Sequence, residues 1–337
     1  MKYNKKGVPM DINLSLLEFV LSVVGIPLIA FAVSTLIPGI QRKIQARIQR
    51  RIGPSILTPG LWALFKFLAK EVKKPFSKMP NLYNLLSLFG FLVVWIILAS
   101  TTVPYIHVVS NLIFITGLLK VKEMMYIIMG SLSNSIMGVR MPIPDICKGS
   151  DFKDILRMSL EQLGALRAYK LITVGSFPLY IGLILPFISK KSIFLDSVIG
   201  NNFLFTLPGI FGAIAYFIGY LVLTGEYPFS IMHTKADVIE GPTLEYSGRY
   251  RAIYLSFKEL LMITLGSLFA TVYLGVYPDI NNPITIVINF GIAFLLPILS
   301  SILGAYSPLL TFRQLYPISL YTCAVGFLGV LIALFKV

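Results

Sequence analysis

The sequence contains few charged side chains, and it has almost none of the residue types that usually hold metals or redox groups. Only 13% of its 337 residues are charged and 56% are hydrophobic, and there are two cysteines and two histidines. In a soluble globular chain roughly a quarter of the residues are charged. A single water-soluble core cannot hide so much apolar surface, so the composition predicts a protein whose solvent is the lipid bilayer.

The scarcity of cysteine and histidine limits the chemistry of the chain itself. Cys147 and Cys323 lack the spacing of a metal site or a disulfide framework, so we interpret both as inert thiols. The sequence has no glycine-rich phosphate loop, no cysteine cluster for an iron–sulfur centre and no histidine pair at haem-like positions. We therefore expect no cofactor in this chain, and any electron transfer would belong to partner proteins.

Long apolar stretches predict about eight spanning helices, since a helix needs about 20 apolar residues to cross the hydrocarbon layer. The predicted spans are residues 15–39, 82–105, 123–139, 171–189, 202–224, 252–276, 283–305 and 315–335. Another apolar stretch, 108–119, is too short to span and is interpreted as an extracytoplasmic or re-entrant piece. The predicted fold is an all-α polytopic membrane protein with amphipathic cytoplasmic helices, and residues 1–337 form a single membrane domain.

Lysine and arginine are distributed unevenly among the loops. Of the 29 basic residues, 21 lie in loops 40–81, 140–170 and 225–258 and at Arg313. Basic loops stay in the cytoplasm, so the sequence predicts a cell-membrane protein with its N-terminus outside. The other eight, including Lys120 and Lys122, are assigned to outer segments. A net charge of +14 can indicate nucleic-acid binding, but charges placed in short loops serve membrane orientation instead, so no nucleic acid is expected.

Three inner loops, 40–81, 140–170 and 225–251, are expected to form a cytoplasmic docking face. The first begins with an amphipathic helix over 40–52, in which isoleucine recurs every fourth residue and forms an apolar stripe. Basic residues cover the rest of this helix: Arg42, Lys43, Arg47, Arg50 and Arg51. Because orientation alone needs less charge, we interpret the helix as a docking surface for a soluble partner, with anchoring to anionic lipid as the alternative. A second short helix is predicted over about 60–71.

Acidic residues close to the membrane are the candidate functional groups, because an ionisable side chain within a spanning helix is costly and by default indicates function. Glu259 lies inside the 252–276 span and is either a proton-relay carboxylate or an interfacial residue at a wet helix end. Its neighbour Lys258 need not pair with it, because adjacent helical residues point about 100° apart. The preceding loop contains four acids among apolar residues and either packs against the membrane domain or is simply solvated: Glu226, Asp237, Glu240 and Glu245.

Four motifs, in order along the chain, resemble those of subunit 1 of respiratory complex I and its membrane-bound hydrogenase relatives. They are RKIQARIQRRIGP at 42–54, GSLSNS at 130–135, LGALRA at 163–168, and EYPF at 226–229 followed by EGPTLEYSG at 240–248. The EGP-x-x-EYSG form is more similar to the hydrogenase-type branch than to the quinone-reducing branch.

The resemblance implies an eight-helix subunit that joins a peripheral redox arm to antiporter-like membrane subunits. In this family the cytoplasmic loops cradle the arm near its last iron–sulfur cluster, and carboxylates begin a hydrated proton path. The expected proton-relay residues here are Glu71, Asp237, Glu240, Glu245 and Glu259, and the expected docking residues are the five basic residues of the 40–52 helix. The partners implied are hydrogenase-like and iron–sulfur subunits, which would carry iron–sulfur clusters and a nickel–iron site.

The chain also departs from the family pattern. Gln41 stands where a glutamate is common, Gly175-Ser176 replaces a tyrosine–glutamate pair, and about 20 residues at 141–160 are inserted. Three usual acids of the acidic loop are replaced by Ser230, His233 and Lys235. These departures favour a coupling subunit of a ferredoxin-fed pump of the hydrogenase or sulfur-reductase type. A quinone-reducing subunit and a structural anchor without a proton-relay role are the alternatives, while a stand-alone transporter is disfavoured because the sequence has no internal repeat.

Overall fold

The computed structural model describes residues 16–133, 160–230, 241–243, 245–308 and 310–335, and within these ranges all regular secondary structure is helical. The α-helices of these ranges are α1 (Leu16–Val20), α2 (Ile26–Ser34), α3 (Ile37–Ile48), α4 (Ala63–Leu68), α5 (Pro80–Thr102), α6 (Leu112–Leu132), α7 (Leu160–Lys170), α8 (Phe177–Lys190), α9 (Leu207–Thr224), α10 (Gly248–Leu274), α11 (Pro283–Tyr306) and α12 (Phe312–Phe335). Single π-helical turns lie between some of these helices. Leu21–Gly25 joins α1 to α2, Thr58–Trp62 precedes α4, and Leu171–Gly175 lies between α7 and α8.

Seven helical segments of the described chain are long and apolar enough to cross a membrane. They are Leu16–Ile48, Pro80–Thr102, Gly164–Lys190, Leu207–Thr224, Gly248–Leu274, Pro283–Tyr306 and Arg313–Phe335. Helix α6 is also long enough at 21 residues, although it contains three charged side chains. The prediction of an all-α polytopic membrane protein is therefore confirmed.

Helix α6 corrects the sequence-based prediction in two ways. It begins at Leu112, where the Asn111 side chain caps it by accepting a hydrogen bond from the Phe114 amide at 2.7 Å. The prediction of a separate piece at 108–119 followed by a span at 123–139 was therefore wrong, and residues 134–139 lie outside the described ranges. Lys120 and Lys122 lie within the helix and not in an outer segment. Each has a hydrogen-bond partner there: Lys120 binds Glu123, and Lys122 binds the Leu223 carbonyl oxygen.

The loops gather at two opposite ends of the bundle. At one end, which we call the opposite face, the loop before α6 meets the loop after α8, with the Leu112 amide 3.0 Å from the Ile193 carbonyl oxygen. The Gly200 amide binds the Gly275 carbonyl oxygen at 2.9 Å, so the loop after α10 lies there too.

The other end, which we call the basic face, carries the segments 49–79, 225–230, 241–243, 245–247, 307–308 and 310–311. The Leu310 amide binds the Pro228 carbonyl oxygen at 3.0 Å, and the Lys78 amide binds that of Leu132 at 3.2 Å. The loops predicted to be cytoplasmic thus lie together where the structure describes them. That this face is the cytoplasmic one stays a prediction.

The predicted amphipathic helix corresponds to α3, which ends at Ile48, before Arg50 takes a left-handed backbone with φ of 58°. Its buried side lies against α11, where Gln41 Nε2 donates to Ser300 Oγ at 3.3 Å. The following segment folds back closely, since a Cβ on Gly39 would lie 1.7 Å from the Ile56 carbonyl oxygen. The predicted second helix is found as the turn Thr58–Trp62 continuing into α4.

Helix α10 is the centre of the bundle. The most hydrophobic stretch of α10 is 78% buried, against 22% for the first and last spanning segments. It lies between α5 and α11, while α8, α9 and α12 pack together beside it. Any ionisable group on α10 is therefore surrounded by protein on most sides.

Candidate functional site

The end of the acidic loop is fastened to the segment between α4 and α5, and we call this contact the loop clamp (residues 70–78 with 242, 243 and 245–248). The Lys73 amide donates to Ser247 Oγ at 2.8 Å, and the same hydroxyl donates to the Lys73 carbonyl oxygen at 3.1 Å. The Phe76 amide donates to Glu245 Oε2 at 3.1 Å. The loop clamp thus joins two segments that lie about 170 residues apart in the sequence.

Gly248 brings the two backbones of the loop clamp into contact. Its φ is 52°, and a Cβ there would lie 2.7 Å from the Lys70 carbonyl oxygen and 2.8 Å from that of Glu71. A side chain at this position therefore meets both backbone strain and a steric clash. The EYSG motif ends in glycine because α10 begins directly against the segment between α4 and α5.

Stacked tyrosines form the buried side of the loop clamp. Tyr83 donates to the Pro242 carbonyl oxygen at 2.5 Å, and Tyr246 donates to the Tyr83 carbonyl oxygen at 2.8 Å. The two rings stack with centroids 4.5 Å apart, and Tyr254 of α10 stacks on Tyr246. Burial raises the pKa of Tyr246, so its hydroxyl remains a neutral donor.

The predicted relay carboxylates occupy different surroundings. Glu71 is exposed and contributes its backbone to the loop clamp, whereas Glu245 is half-buried and accepts a backbone hydrogen bond. Glu259 is half-buried on α10, about 16 Å along the axis from Gly248. Asp237 and Glu240 lie outside the described residues.

Lys258 does not form an ion pair with Glu259, as the sequence analysis allowed. Lys258 Nζ lies 3.3 Å from Glu226 Oε1, so this lysine pairs with the acid that follows α9. Glu259 has no ion pair with any residue that the structure describes. Gly266 lies seven positions further along, within about 20° of the same helix side, and packs against Ala293 of α11. Glu259 is therefore on the side of α10 that faces α11.

The five predicted docking residues lie on α3 and in the turn that follows it. Lys43 is half-buried, and the other four are exposed: Arg42, Arg47, Arg50 and Arg51. Because the buried side of α3 lies against α11, the charged side faces away from the bundle. The structure thus offers a basic surface at the basic face, and its role in docking stays a prediction.

A second ionic group, within α6, was not predicted from the sequence. Glu123 is 2% exposed, and its carboxylate accepts from Lys120 Nζ at 2.7 Å and from the Tyr180 hydroxyl at 3.3 Å. Lys120 Nζ also donates to Ser176 Oγ at 3.0 Å, so one of the two residues that depart from the family pattern lies at this site. The sequence does contain a signal for this group, because three charged residues, Lys120, Lys122 and Glu123, fall within four positions of an otherwise apolar stretch.

A cavity of about 50 Å³ lies beside this group, and we call it the α6 cavity. Side chains of α6, α9, α10 and the turn Leu171–Gly175 line it, and Lys122, Glu123 and Lys258 are the charged residues among them. Glu259 does not line it. In the described part of the chain, no group of three or more His, Cys, Asp or Glu side chains is placed to hold a metal ion.

Comparison with known proteins identifies the family. The family model for NADH dehydrogenase matches residues 20–139 and 161–334. The chain belongs to the NADH dehydrogenase subunit 1 family. It is thus a multi-pass membrane subunit of a complex I-like respiratory complex, which confirms the resemblance seen in its motifs. The unmatched residues between the two blocks coincide with the insertion predicted at 141–160.

Several relatives are similar over most of their length. An uncharacterized protein of Methanocaldococcus jannaschii is 59% identical over 319 residues, which cover 95% of this chain and 99% of that protein. A putative NADH-ubiquinone oxidoreductase of the same organism is 24% identical over 83% of this chain and 85% of its own length. An NADH-quinone oxidoreductase subunit of Burkholderia vietnamiensis is 22% identical over 67% of this chain and 62% of its own length.

A solved structure shares the fold. A chain of the membrane-bound sulfane sulfur reductase, an archaeal respiratory membrane complex, superposes with a TM-score of 0.73 at 21% identity. The match covers 94% of this chain and 99% of that one.

Proposed function

We propose that this chain is the membrane-anchor and coupling subunit of a ferredoxin-fed, redox-driven ion pump of the membrane-bound hydrogenase or sulfur-reductase type. It would link hydrogenase-like and iron–sulfur subunits on the basic face to antiporter-like subunits in the membrane. The EGP-x-x-EYSG form supports this type over a quinone reductase, and a chain of the sulfane sulfur reductase has the same fold.

The observation that carries the proposal is the loop clamp. It fastens the end of the acidic loop to the first cytoplasmic loop through the side chains of Ser247 and Glu245. The next residue, Gly248, begins α10, the most buried spanning helix among those described. A shift of the acidic loop against a docked partner would therefore be transmitted to α10 and to Glu259.

Docking and proton transfer would then take place on neighbouring surfaces. The exposed arginines of α3 would bind an acidic surface of the peripheral arm, because charge complementarity steers and orients association. Glu71 and Glu245 would exchange protons at the basic face, Asp237 and Glu240 would do so elsewhere in the acidic loop, and Glu259 would do so within the membrane. A redox change in the arm would alter the protonation of these carboxylates by displacing the loop that carries three of them.

The test is Glu259→Gln in the assembled complex, studied in inverted membrane vesicles. Electron transfer from reduced ferredoxin should persist, while ion translocation per electron should fall at least tenfold. Asp279→Asn, which neutralises an acid in the loop after α10 at the opposite face, is the matched control and should pump normally. Normal pumping by Glu259→Gln would rule out the relay role and favour the structural-anchor alternative.

Partner content gives an independent test. Purification of the chain from its native membrane in mild detergent should yield iron–sulfur and antiporter-like subunits with it. Recovery of the chain alone would contradict the coupling role. A charge-reversed α3, with Arg42, Arg47 and Arg51 changed to Glu, should lose the peripheral subunits and keep the membrane ones.

A further inference from the structure

Lys120 is a charged residue near the middle of a membrane-spanning helix. It lies about 12 Å along α6 from the first residue, Leu112, and about 18 Å from the last residue, Leu132. Its Nζ is held at 2.7 Å by Glu123, which lies one turn further from the nearer end of the helix, and at 3.0 Å by Ser176 Oγ. The lysine therefore does not reach along α6 to the nearer membrane surface, as lysines close to helix ends do.

This chain encloses Lys120 only on one side. The lysine side chain is 43% exposed, whereas that of Glu123 is 1% exposed. The lysine lies beside Phe177 of α8, whose ring centre is 6.0 Å from Nζ and whose side chain is itself 55% exposed. At this depth the exposed side would face hydrocarbon, where a charged group is costly unless polar neighbours shield it. An exposed lysine at the middle of the membrane therefore indicates a surface that another protein covers.

The ammonium group of Lys120 can also form one more hydrogen bond. It has three N–H donors. Within the described part of the chain, Glu123 and Ser176 supply two acceptor oxygens. The Tyr180 ring, 4.1 Å from Nζ, and the Phe177 ring add weaker contacts with the cation. A partner that brings one acceptor oxygen would complete the hydrogen bonding of this group.

The surface around Lys120 has room for a second helix. Gly117, one turn before the lysine, is exposed, and a Cβ there would meet no atom of another described helix within 4 Å. Val121 and Met124 continue the same side of α6 and are 37% and 61% exposed. Small residues let the backbones of membrane helices approach closely. We call the surface formed by Gly117, Lys120, Val121, Met124 and Phe177 the α6 patch.

We propose that the α6 patch binds a transmembrane helix of another membrane subunit, which packs at Gly117 and directs one oxygen-bearing side chain to Lys120. This helix shields the ammonium group from lipid and accepts its third N–H. Close packing at small residues and hydrogen bonds between helices are the interactions that hold membrane helices together. The inference rests on the proposed function, since it assigns one of the membrane partners to one surface of this chain.

Gly117→Leu in the assembled complex tests the packing. Because a side chain at this position meets no other described helix, the chain itself should fold and insert normally. The leucine should displace the partner helix, so the content of one membrane subunit relative to this chain should fall roughly fivefold or more, as measured by quantitative mass spectrometry of the purified complex. Full retention of every subunit would overturn the proposal.

Gly291→Leu on α11 is the matched control. Gly291 is also exposed, and a Cβ there would meet nothing within 4 Å. Its exposed neighbours on α11 are apolar, namely Val287, Ile288 and Leu295, so no charge marks this side as a protein interface. The control variant should keep all subunits. Loss of the same subunit from both variants would mean that the effect is not specific to the α6 patch and would overturn the proposal.

A photocrosslinker identifies the occupant in a complex that is otherwise unaltered. p-Benzoylphenylalanine in place of Met124 should cross-link to one transmembrane helix of another subunit, and the captured peptide should contain a side chain with an acceptor oxygen. The same group in place of Val287, which is 72% exposed on α11, should not capture that helix. Capture of lipid or detergent alone, of another part of this chain, or of a helix without an acceptor side chain would overturn the proposal.

The two proposals fail in different ways. If the unaltered chain is purified without partner subunits, the proposed function is wrong, and the α6 patch has no helix to bind. If the unaltered complex contains its partners, but Gly117→Leu keeps them all and the crosslinker at position 124 captures no other subunit, only the role of the α6 patch is wrong.

Discussion

Two glutamates of the membrane domain are held in different ways, although both are on helices that pack against α5. Glu123 is almost completely buried and has a lysine and a tyrosine on its carboxylate. Glu259 is half-buried, and its neighbour Lys258 is bound to Glu226 on another side of α10. A carboxylate with fixed partners contributes to stability as well as to chemistry, whereas one without an ion pair contributes mainly to chemistry.

The two glutamates also lie on different sides of α10. The proposed relay along α10 joins the loop clamp to Glu259, whereas Glu123 and Lys258 line the α6 cavity, and Lys258 pairs there with Glu226. Variants on the two sides should therefore differ in how much they change stability and how much they change transport.

The largest effect on stability is expected for Lys120→Met. It leaves the Glu123 carboxylate, which is 1% exposed, without its ammonium partner. Because Lys120 is itself 43% exposed, the pair is only partly buried and the expected cost is about 2–3 kcal/mol. The thermal unfolding midpoint of the purified complex in detergent should drop clearly. Lys190→Met, which removes an exposed lysine that binds Asn201, is the control and should change the midpoint little.

A smaller loss is expected for Glu123→Gln, about 1–2 kcal/mol. The amide oxygen can still accept from Lys120, but the amide nitrogen can only donate to the Tyr180 hydroxyl, and the charge is removed. Added to Lys120→Met, it should recover part of the stability lost, since residues in direct contact couple by about 0.5–3 kcal/mol. A double-mutant cycle of unfolding midpoints measures this coupling. Additive effects would show that the 2.7 Å contact between Lys120 and Glu123 does not stabilise the protein.

The difference between the two glutamates explains which parts could be predicted from the sequence. Apolar length predicts the spanning helices, and the 100° step of a helix predicts that Lys258 and Glu259 diverge. The same apolar criterion failed at α6, because Lys120, Lys122 and Glu123 look like a loop until their partners on α8 and α9 are known. Such partners lie 57 to 101 residues away, as with Tyr180 and Leu223, so local pattern cannot supply them.

The loop clamp illustrates the same limit. The resemblance to a family singled out Glu245, but its partner is the backbone amide of Phe76, between α4 and α5, and a backbone amide carries no sequence signal. Gly248 could have been recognised only as a glycine at a helix start, and its contact with the carbonyl oxygens of Lys70 and Glu71 explains its presence.

A third, intermediate prediction concerns the Glu226–Lys258 pair. Glu226→Gln breaks the pair with Lys258, whose side chain is 31% exposed, so solvent offsets much of the loss and stability should fall by less than about 1 kcal/mol. The unfolding midpoint of the purified complex measures this loss. A drop as large as that of Lys120→Met would contradict the expected screening of this pair by solvent.

The smallest effect on stability is expected for Glu259→Gln, within about 0.5 kcal/mol, because no described residue forms an ion pair with this carboxylate. Its effect on transport should be among the largest, which reverses the ranking found for Lys120→Met. Unfolding midpoints and ion translocation measured on the same preparations test this reversal. A large loss of stability for Glu259→Gln would mean that this carboxylate is held as firmly as Glu123, and the distinction between the two sides of α10 would be lost.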